Sequence, residues 1–481
     1  MNKYTLLTVA TLLSTAVIAQ STAFDLAKKH FAAQNDTLKI RTLEFIENNI
    51  DEHYSRTYHW QDSVGNTVNF NEFDYLNFNE SRKALKTLIL KPVQEIVPDR
   101  KKLTAEQLIA IVERGFVAWG KQWNKNLNFD DFCDYLLPYR VQDEPFEDWY
   151  DNFLPKFSFL AKNSTGDICT SVNSNLKMWF FSSFSFEDRT ELDYCLSPSQ
   201  MLFRKQGNCQ DLCNLSVYIM RMLGVACSID FTPAWATSSY NHFWCTFIDE
   251  NGEHRPFEGV TGMANDFVIF REPSKVFRIT YRKQFKTLSA KIAKTEIPVS
   301  HLRMKNLIDV TDRYWKTTDL QCNLFEVSKN NISYISVFNA LAWRPVDWAE
   351  TDKGKASFTK LSVGVVYMPV NYENNKIVPA GYPVLIRSDK SKQELCPDYK
   401  NRQIVTVTEA PKYLYYRTGK KYTFFYWDKK WIKTETKTAT EDKILTFDNI
   451  PSNTVYLLLP EYSERKERIF TVNEQGEIER W

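Results

Sequence analysis

Apolar residues recur at three- and four-residue spacing from Phe24 to about Arg140, in FDLAKKHFAAQ, LKIRTLEFIENNI, SRKALKTLIL and TAEQLIAIVERGFVAWGKQW. That period predicts a helical N-terminal region over 20–141. Thr104, with Gln107 three residues later, forms the capping-box pair that starts the last of these helices. From 142 to 306 helical and strand signals mix. Beyond about Leu307 the period falls to two, in SYISVFNALAW, LSVGVVYMPV, KKYTFFYWDKKWIK and TVYLLLP, with turn formers at NYENNK, DNIPSN and NEQG. These runs predict all-β, sandwich-like domains over 307–396 and 397–481. A chain of 481 residues exceeds what one core supports, so several packed domains of an α+β protein are expected.

The first nineteen residues depart from both periods. Lys3 precedes an apolar run from Tyr4 to Ile18, and the small residues Val17 and Ala19 suit a cut before Gln20. This is the pattern of a signal peptide over 1–19, too short and too interrupted by Thr and Ser for a membrane span. Export to the periplasm or the cell exterior is expected. No Cys follows the cut to carry a lipid, and no later segment is apolar enough to span a bilayer.

Composition narrows the partners. The 61 basic side chains nearly cancel 59 acidic ones, leaving a net charge of +2 and no electrostatic case for nucleic acid or a membrane surface. Aromatics are abundant, with 33 Phe, 24 Tyr and 13 Trp, which suits filled sandwich cores and offers stacking surfaces for sugars. Nine cysteines leave at least one unpaired thiol in the monomer. With no CxxC pair and scattered histidines, no metal or other cofactor is expected.

The chemistry gathers in QGNCQDLCNLSVYIMRMLGVACSID, residues 206–230. Leu212, Leu215, Ile219 and Met222 mark a helix face, and Gly224 is placed to end the helix. Gly207 and Asn208 supply a turn and an N-cap, which puts Cys209 at the first helical position, where backbone N–H groups and the helix dipole favour an anion. Cys213, Cys227 and Cys245 read as packing residues.

A thiol nucleophile needs a base, and the chain offers six histidines. His242 is the best placed, opening the alternating run HFWCTFI after the loop PAWATSSYN. A third group should orient the imidazole. If Glu250, Asn251 and Gly252 form a three-residue hairpin loop, Asp249 faces Glu253 and Trp244 faces Glu258, setting Glu258 diagonally beside His242. A one-residue slip would turn Glu258 to the other face.

The order GNCQDLCNLSVYIMRMLGVA, then NHFWCTFIDENGEHRPFEG, resembles the transglutaminase-like family. Its pattern is a Gly-Asp/Asn-Cys turn, a helix ending Leu-Arg-x-Leu-Gly-Ile/Val, a His-x-Trp strand, and an Asp at the end of the next strand. Arg221, Leu223, Gly224, His242 and Trp244 match it, and Glu258 stands where the family usually has Asp. The likeness is best over 195–260. DDFCDYLLPYRVQDEPFEDW and the β-rich C-terminal part are similar to exported multidomain transglutaminase-like proteins of Bacteroidetes.

The resemblance implies a papain/transglutaminase-like core and a Cys209, His242, Glu258 triad. The expected chemistry is acyl transfer or hydrolysis on an amide of a peptide, glycopeptide or cell-wall polymer. The backbone N–H of Cys209, with Gln206 or Trp235, would serve as oxyanion donor. A different reading is an inactive scaffold that binds glycan or protein through Trp343, Trp348, Trp427 and Trp431 in the β domains.

Overall fold

The computed structural model describes residues 23–180, 195–260, 262, 266–410 and 413–481. The signal segment expected at 1–19 lies outside the described residues. The chain divides into two compact units, the first made of 1–230, 243–267 and 279–283, the second of 231–242, 268–278 and 284–481.

The first unit opens with helices α1 (residues 23–33) and α2 (Thr37–Asn49), the latter started by the Asp36 side chain, which accepts from Lys39 N. Helices α3 (Phe78–Leu88) and α4 (Ala105–Trp119) follow. The Thr104 and Gln107 capping box is formed in full. The apolar faces of α1, α2 and α4 meet in one core through Phe31, Leu43, Ile46, Leu108 and Val112, which is why their three- and four-residue period was visible.

The N-terminal region is not helical throughout. A three-stranded antiparallel sheet, β1 (Tyr54–Gln61), β2 (Thr67–Val68) and β3 (Lys91–Pro98), is ordered β2-β1-β3. Only Ser55 and Trp60 of β1 are buried, and no residue of β3 is, so no apolar alternation announces these strands.

Helices α5 (Tyr150–Phe157), α6 (Thr165–Trp179), α7 (Pro198–Arg204) and α8 (Cys209–Met222) come next. Strands β4 (Cys227–Thr232), β5 (His242–Ile248) and β6 (His254–Phe257) then lie in the order β6-β5-β4. Every residue from Asp211 to Met222 is buried, so α8 is a central helix covered all round rather than one with a single apolar face. Arg221 shows how: its guanidinium, buried with it, donates to the carbonyls of Tyr135, Pro138, Arg140 and Cys227. Arg140 in turn pairs with buried Asp99, which fastens the 135–144 segment in place.

In the second unit, β7 (Phe277–Ile279) neighbours β8 (Leu307–Asp309). The remaining strands are all antiparallel. One sheet of eight strands comprises β9 (Thr317–Asn323), β10 (Ile332–Asn339), β11 (Ala342–Asp352), β12 (Lys355–Ser362), β13 (Val365–Glu373), β14 (Lys376–Pro379), β15 (Val384–Ile386) and β16 (Lys392–Glu394). Beyond it, β17 (Asp398–Thr408) pairs with β20 (Ile444–Ser452) and faces a five-stranded sheet that contains β18 (Lys421–Trp427), β19 (Trp431–Thr438) and β21 (Tyr456–Pro460). Val405, Val407, Phe447 and Phe424 fill the sandwich between them, with the Phe424 and Phe447 rings 4.5 Å apart.

Two sequence readings change here. SYISVFNALAW is a hairpin, turning at Ala340 and Leu341, both left-handed (φ 50° and 62°) without a glycine. DNIPSN is mostly strand: β20 continues through Ser452, its register shifting past left-handed Asn449. Trp343 and Trp427 are buried, and Trp348 and Trp431, half-buried, pack against the same core.

Candidate active site

The site is built outward from the turn before α8. Asn208 caps the helix by accepting from the N–H groups of Gln210 and Asp211, and Asp211 reaches back to Asn208 N at 3.0 Å, closing a capping box. Buried Asp211 also accepts from Leu196 N, which ties the turn to the chain entering α7. Gly207 has to be glycine, because an added Cβ would lie 2.6 Å from the Cβ of Asp211. Residue types and helix geometry therefore place Cys209 at the first position of α8, half-buried, as expected.

Polar groups line the first turn beside it. Gln210 Nε2 donates to Gln142 Oε1 at 2.7 Å and to Cys195 Sγ at 3.1 Å, and Gln142 Nε2 donates to buried Asn214 at 2.7 Å. Glu144 holds that loop in place by accepting from the N–H groups of Val141 and Gln142 and from the Tyr218 hydroxyl.

Cys213, Cys227 and Cys245 are fully enclosed. Burial pushes the Cys245 thiol well above its ordinary range, and contact with Cys213 and Cys227 adds to the push. Cys213 is raised by burial, with the nearby Cys209 and Glu258 contributing in the same direction. Such thiols are packing groups, not nucleophiles. They also join the site's elements: Cys245 Sγ of β5 lies 3.6 Å from the Cys213 carbonyl of α8.

The β5–β6 hairpin has the expected register. Asp249 N donates to Glu253 O, Gly252 closes the three-residue loop with φ 81°, and Cys245 pairs with Phe257. The ladder ends at Phe257, so Glu258 follows the last paired residue and starts a turn. In that turn Gly259 presses on α8, where an added Cβ would come 3.0 Å from both N and Cα of Cys213.

Asn173 of α6 holds the same turn. Its Nδ2 donates to the carbonyls of Glu258 and Gly262, and its Oδ1, with Ser216 Oγ, accepts from Val260 N. Sequence reasoning missed Asn173. The signal was there: Thr165, Ile168, Cys169, Val172, Asn173 and Leu176 form the buried helical stripe of α6, and an amide inside that stripe needs partners.

His242 is the first residue of β5 and half-buried, with the Trp235 ring stacked on its imidazole (centroids 5.9 Å apart, planes at 25°). Trp235 is itself buried, and its backbone N–H donates to Tyr240 O at 3.0 Å. Gln206 lies half-buried in the connection between α7 and α8. Among the described residues, no group of three or more His, Cys, Asp and Glu side chains is arranged to hold a metal ion. No helix among them is long and apolar enough to cross a membrane.

Residues 163–258 match the family model of the Transglutaminase-like superfamily. The match runs from the start of α6 through Cys209 and His242 and ends on Glu258, so the chain carries a transglutaminase-like domain. No curated protein matches the chain.

Proposed function

We propose that this is an exported cysteine hydrolase or acyltransferase acting on an amide of a peptide, glycopeptide or cell-wall polymer. Cys209 is the nucleophile, His242 its base and Glu258 the group that orients the imidazole. One observation carries the reading: of the cysteines within the matched segment, Cys169, Cys195, Cys213, Cys227 and Cys245 are buried, and Cys209 alone is accessible, at a helix start.

In the proposed reaction the Cys209 S–H proton passes to His242 as sulfur bonds to the amide carbonyl carbon. The oxyanion is met by the backbone N–H of Cys209, with Gln206 as a side-chain donor. The C–N bond breaks as the imidazolium returns the proton to the leaving amine. Water then attacks the thioester, releasing a carboxylic acid and restoring the thiol; an amine in its place would form a new amide. Trp235, in ring contact with His242, is assigned to holding the imidazole plane rather than to donating. Export rests on Lys3 and the apolar run that follows it.

The test is iodoacetamide labelling near pH 7, mapped by mass spectrometry, with Cys396 as the internal reference because it too is not buried. Cys209 is expected to react faster than Cys396, and His242→Ala to slow Cys209 by about tenfold or more. Equal rates at the two cysteines, unchanged in His242→Ala, would sink the reading. A screen of peptide, glycopeptide and cell-wall amides then assigns the substrate.

A further inference from the structure

The loop that leads into His242 is held, within the second unit, by a segment running antiparallel beside it. Ser274 N donates to Ala234 O at 3.3 Å, Trp235 is bridged to Pro273, and Ala236 N donates to Glu272 O at 3.0 Å. Side chains continue the pairing: Thr237 Oγ1 donates to Glu272 Oε2 at 2.5 Å, and Arg271 Nη1 donates to Ser238 Oγ at 2.8 Å. Residues 271–274 are therefore fastened to the same loop that sets Trp235 against His242.

Just before these bonds stand two apolar side chains in open solvent. Val268 is 71% exposed and Phe270 is 74% exposed, while Ile269 between them is half-buried, so the pair stands on the outer side of the segment. A lone exposed apolar residue needs no explanation. Place distinguishes this pair. Phe270 is three residues from Pro273, no more than about 11 Å of chain, and Pro273 is bridged to the tryptophan whose ring stacks on the imidazole.

The polar groups next to the pair are already engaged. The Thr237 and Ser238 hydroxyls bond to Glu272 and Arg271, and the Arg271 guanidinium lies over the Phe270 ring, 5.2 Å from its centroid. Among the described residues Arg271 forms no ion pair, so its charge is not neutralised. A saccharide would find these hydroxyls in use and one ring face covered. An aliphatic or aromatic side chain needs neither, since it gains by taking Val268 and the uncovered part of the ring out of water. A lysine or arginine side chain would meet the guanidinium and be repelled.

We propose that Val268 and Phe270 form the subsite for the residue on the amine side of the scissile bond, and that the substrate is a peptide carrying a neutral apolar side chain there. The inference rests on Cys209 and His242 acting as nucleophile and base. In that reaction the imidazolium returns its proton to the leaving amine, so surface joined to the His242 loop lies on the amine's side of the bond.

The test uses the full chain with three iodoacetyl amino-acid amides, those of phenylalanine, glycine and lysine, and iodoacetamide alongside. In each reagent the sulfur displaces iodide from the methylene carbon, and the amide nitrogen carries the side chain beyond it, as the amine part of a substrate would. Rates at Cys209 are divided by those at Cys396, also not buried, which removes the intrinsic differences between reagents. The phenylalanine reagent should outpace the glycine reagent by about tenfold or more at Cys209, and the lysine reagent should not. Phe270→Ala, and Val268→Ala to a lesser degree, should bring the ratio of phenylalanine to glycine down towards one with the thermal midpoint unchanged. Phe325→Ala, which removes an exposed ring set against Tyr382, should leave the ratio as it was. A ratio near one in the wild type, a ratio kept in Phe270→Ala, or a lysine reagent as fast as the phenylalanine one overturns the proposal. If iodoacetamide itself labels Cys209 no faster than Cys396, the catalytic pair fails and the subsite with it; if Cys209 is the faster and the ratio is flat, the subsite alone fails.

Discussion

The side chain of Asn339 and the backbone of Tyr240 bond to each other in both directions: Nδ2 donates to Tyr240 O at 2.9 Å, and Oδ1 accepts from Tyr240 N at 3.0 Å. The same amide reaches Trp235 O at 3.0 Å and Ser238 O at 2.9 Å. Arg468 adds donors to the carbonyls of Ala236 and Ser238. Two residues distant in sequence thus fix the loop that brings Trp235 against His242.

Asn339→Ala should therefore do more than remove one contact. Asn339 is buried, and its loss removes a donor from the carbonyls of Trp235, Ser238 and Tyr240 and the acceptor of Tyr240 N, although Ser238 O keeps Arg468 and Tyr240 O keeps the backbone N–H of Trp235. At about 1–3 kcal/mol for a buried polar group left unsatisfied, a loss of roughly 2–4 kcal/mol in chemical denaturation is expected. Amide exchange over 233–241 should speed up and the labelling of Cys209 slow down. An unchanged midpoint and unchanged exchange would show that the loop is held by other groups.

The parts of the site that could be read from the sequence are those encoded locally. Gly207, Asn208 and Cys209 specify a turn, a cap and a helix start within three residues, and Asp249 to Glu253 specify a loop whose length sets the register of the whole hairpin. What stayed hidden depends on partners far along the chain. Asn173 finds Val260, and Asn339 finds Tyr240, only after folding. The surroundings of α8 were hidden for the same reason, since nothing within Asp211–Met222 tells that Arg221 will be wrapped by the 135–140 carbonyls. The hairpin at Ala340 and Leu341 escaped because neither residue favours a positive φ, and the flanking strands impose it.

Gly259→Ala tests how closely the 258–260 turn must sit on α8. The new Cβ would meet the N and Cα of Cys213 at 3.0 Å, and a helix backbone cannot yield as a side chain can. A loss of about 1–3 kcal/mol is expected, together with displacement of Glu258. Gly166→Ala is the matched control. It lies in the first turn of α6 with nothing within 4 Å of the added atom and should stabilise by up to about 1 kcal/mol. If both variants melt like the wild type, the turn has slack that the packing does not suggest.

Acid should destabilise the fold through its buried histidines. Burial lowers His53 to about 4, even though its Nε2 bonds Tyr281 O at 2.8 Å, with Arg140 lowering it further and Glu52 and Glu144 raising it. Burial likewise lowers His301 to about 4. A depressed folded-state value means the stability is present above the unfolded value of 6.5 and is lost as pH falls towards 4. The loss is on the order of 3 kcal/mol per histidine. Asp134 opposes this: burial raises it to about 6, so its contribution is full below the ordinary carboxyl range and disappears as pH rises through 6. His53→Gln, which keeps a donor for Tyr281 O, should flatten the decline measured by urea denaturation between pH 6.5 and 4. An identical slope in the variant would mean that His53 already titrates as in water.

Lys275 carries the last prediction. It is completely buried in the second unit, with its Nζ 2.5 Å from Asp309 and 3.1 Å from Asp347. Burial alone would lower its pKa, but Asp347 and Asp309 raise it above the ordinary lysine value. Asp347 is raised by burial, with Lys275 the main group opposing that rise, Asp309 adding to it and the backbone N–H of Trp348 lowering it. Lys275→Met removes the shared cation and leaves two carboxylates facing each other, which at pH 8 should cost about 3–5 kcal/mol. The cost should shrink at pH 5. Without Lys275 the folded-state value of Asp347 rises further, and a carboxyl raised in the folded state contributes stability at low pH that is lost as pH increases. Adding Asp347→Asn should recover part of the loss at pH 8 and remove the extra pH dependence. Urea denaturation of the single and double variants at the two pH values decides it: a loss equal at both, unrelieved by the second substitution, would place the cost in lost packing of the lysine stem rather than in the unpaired charges.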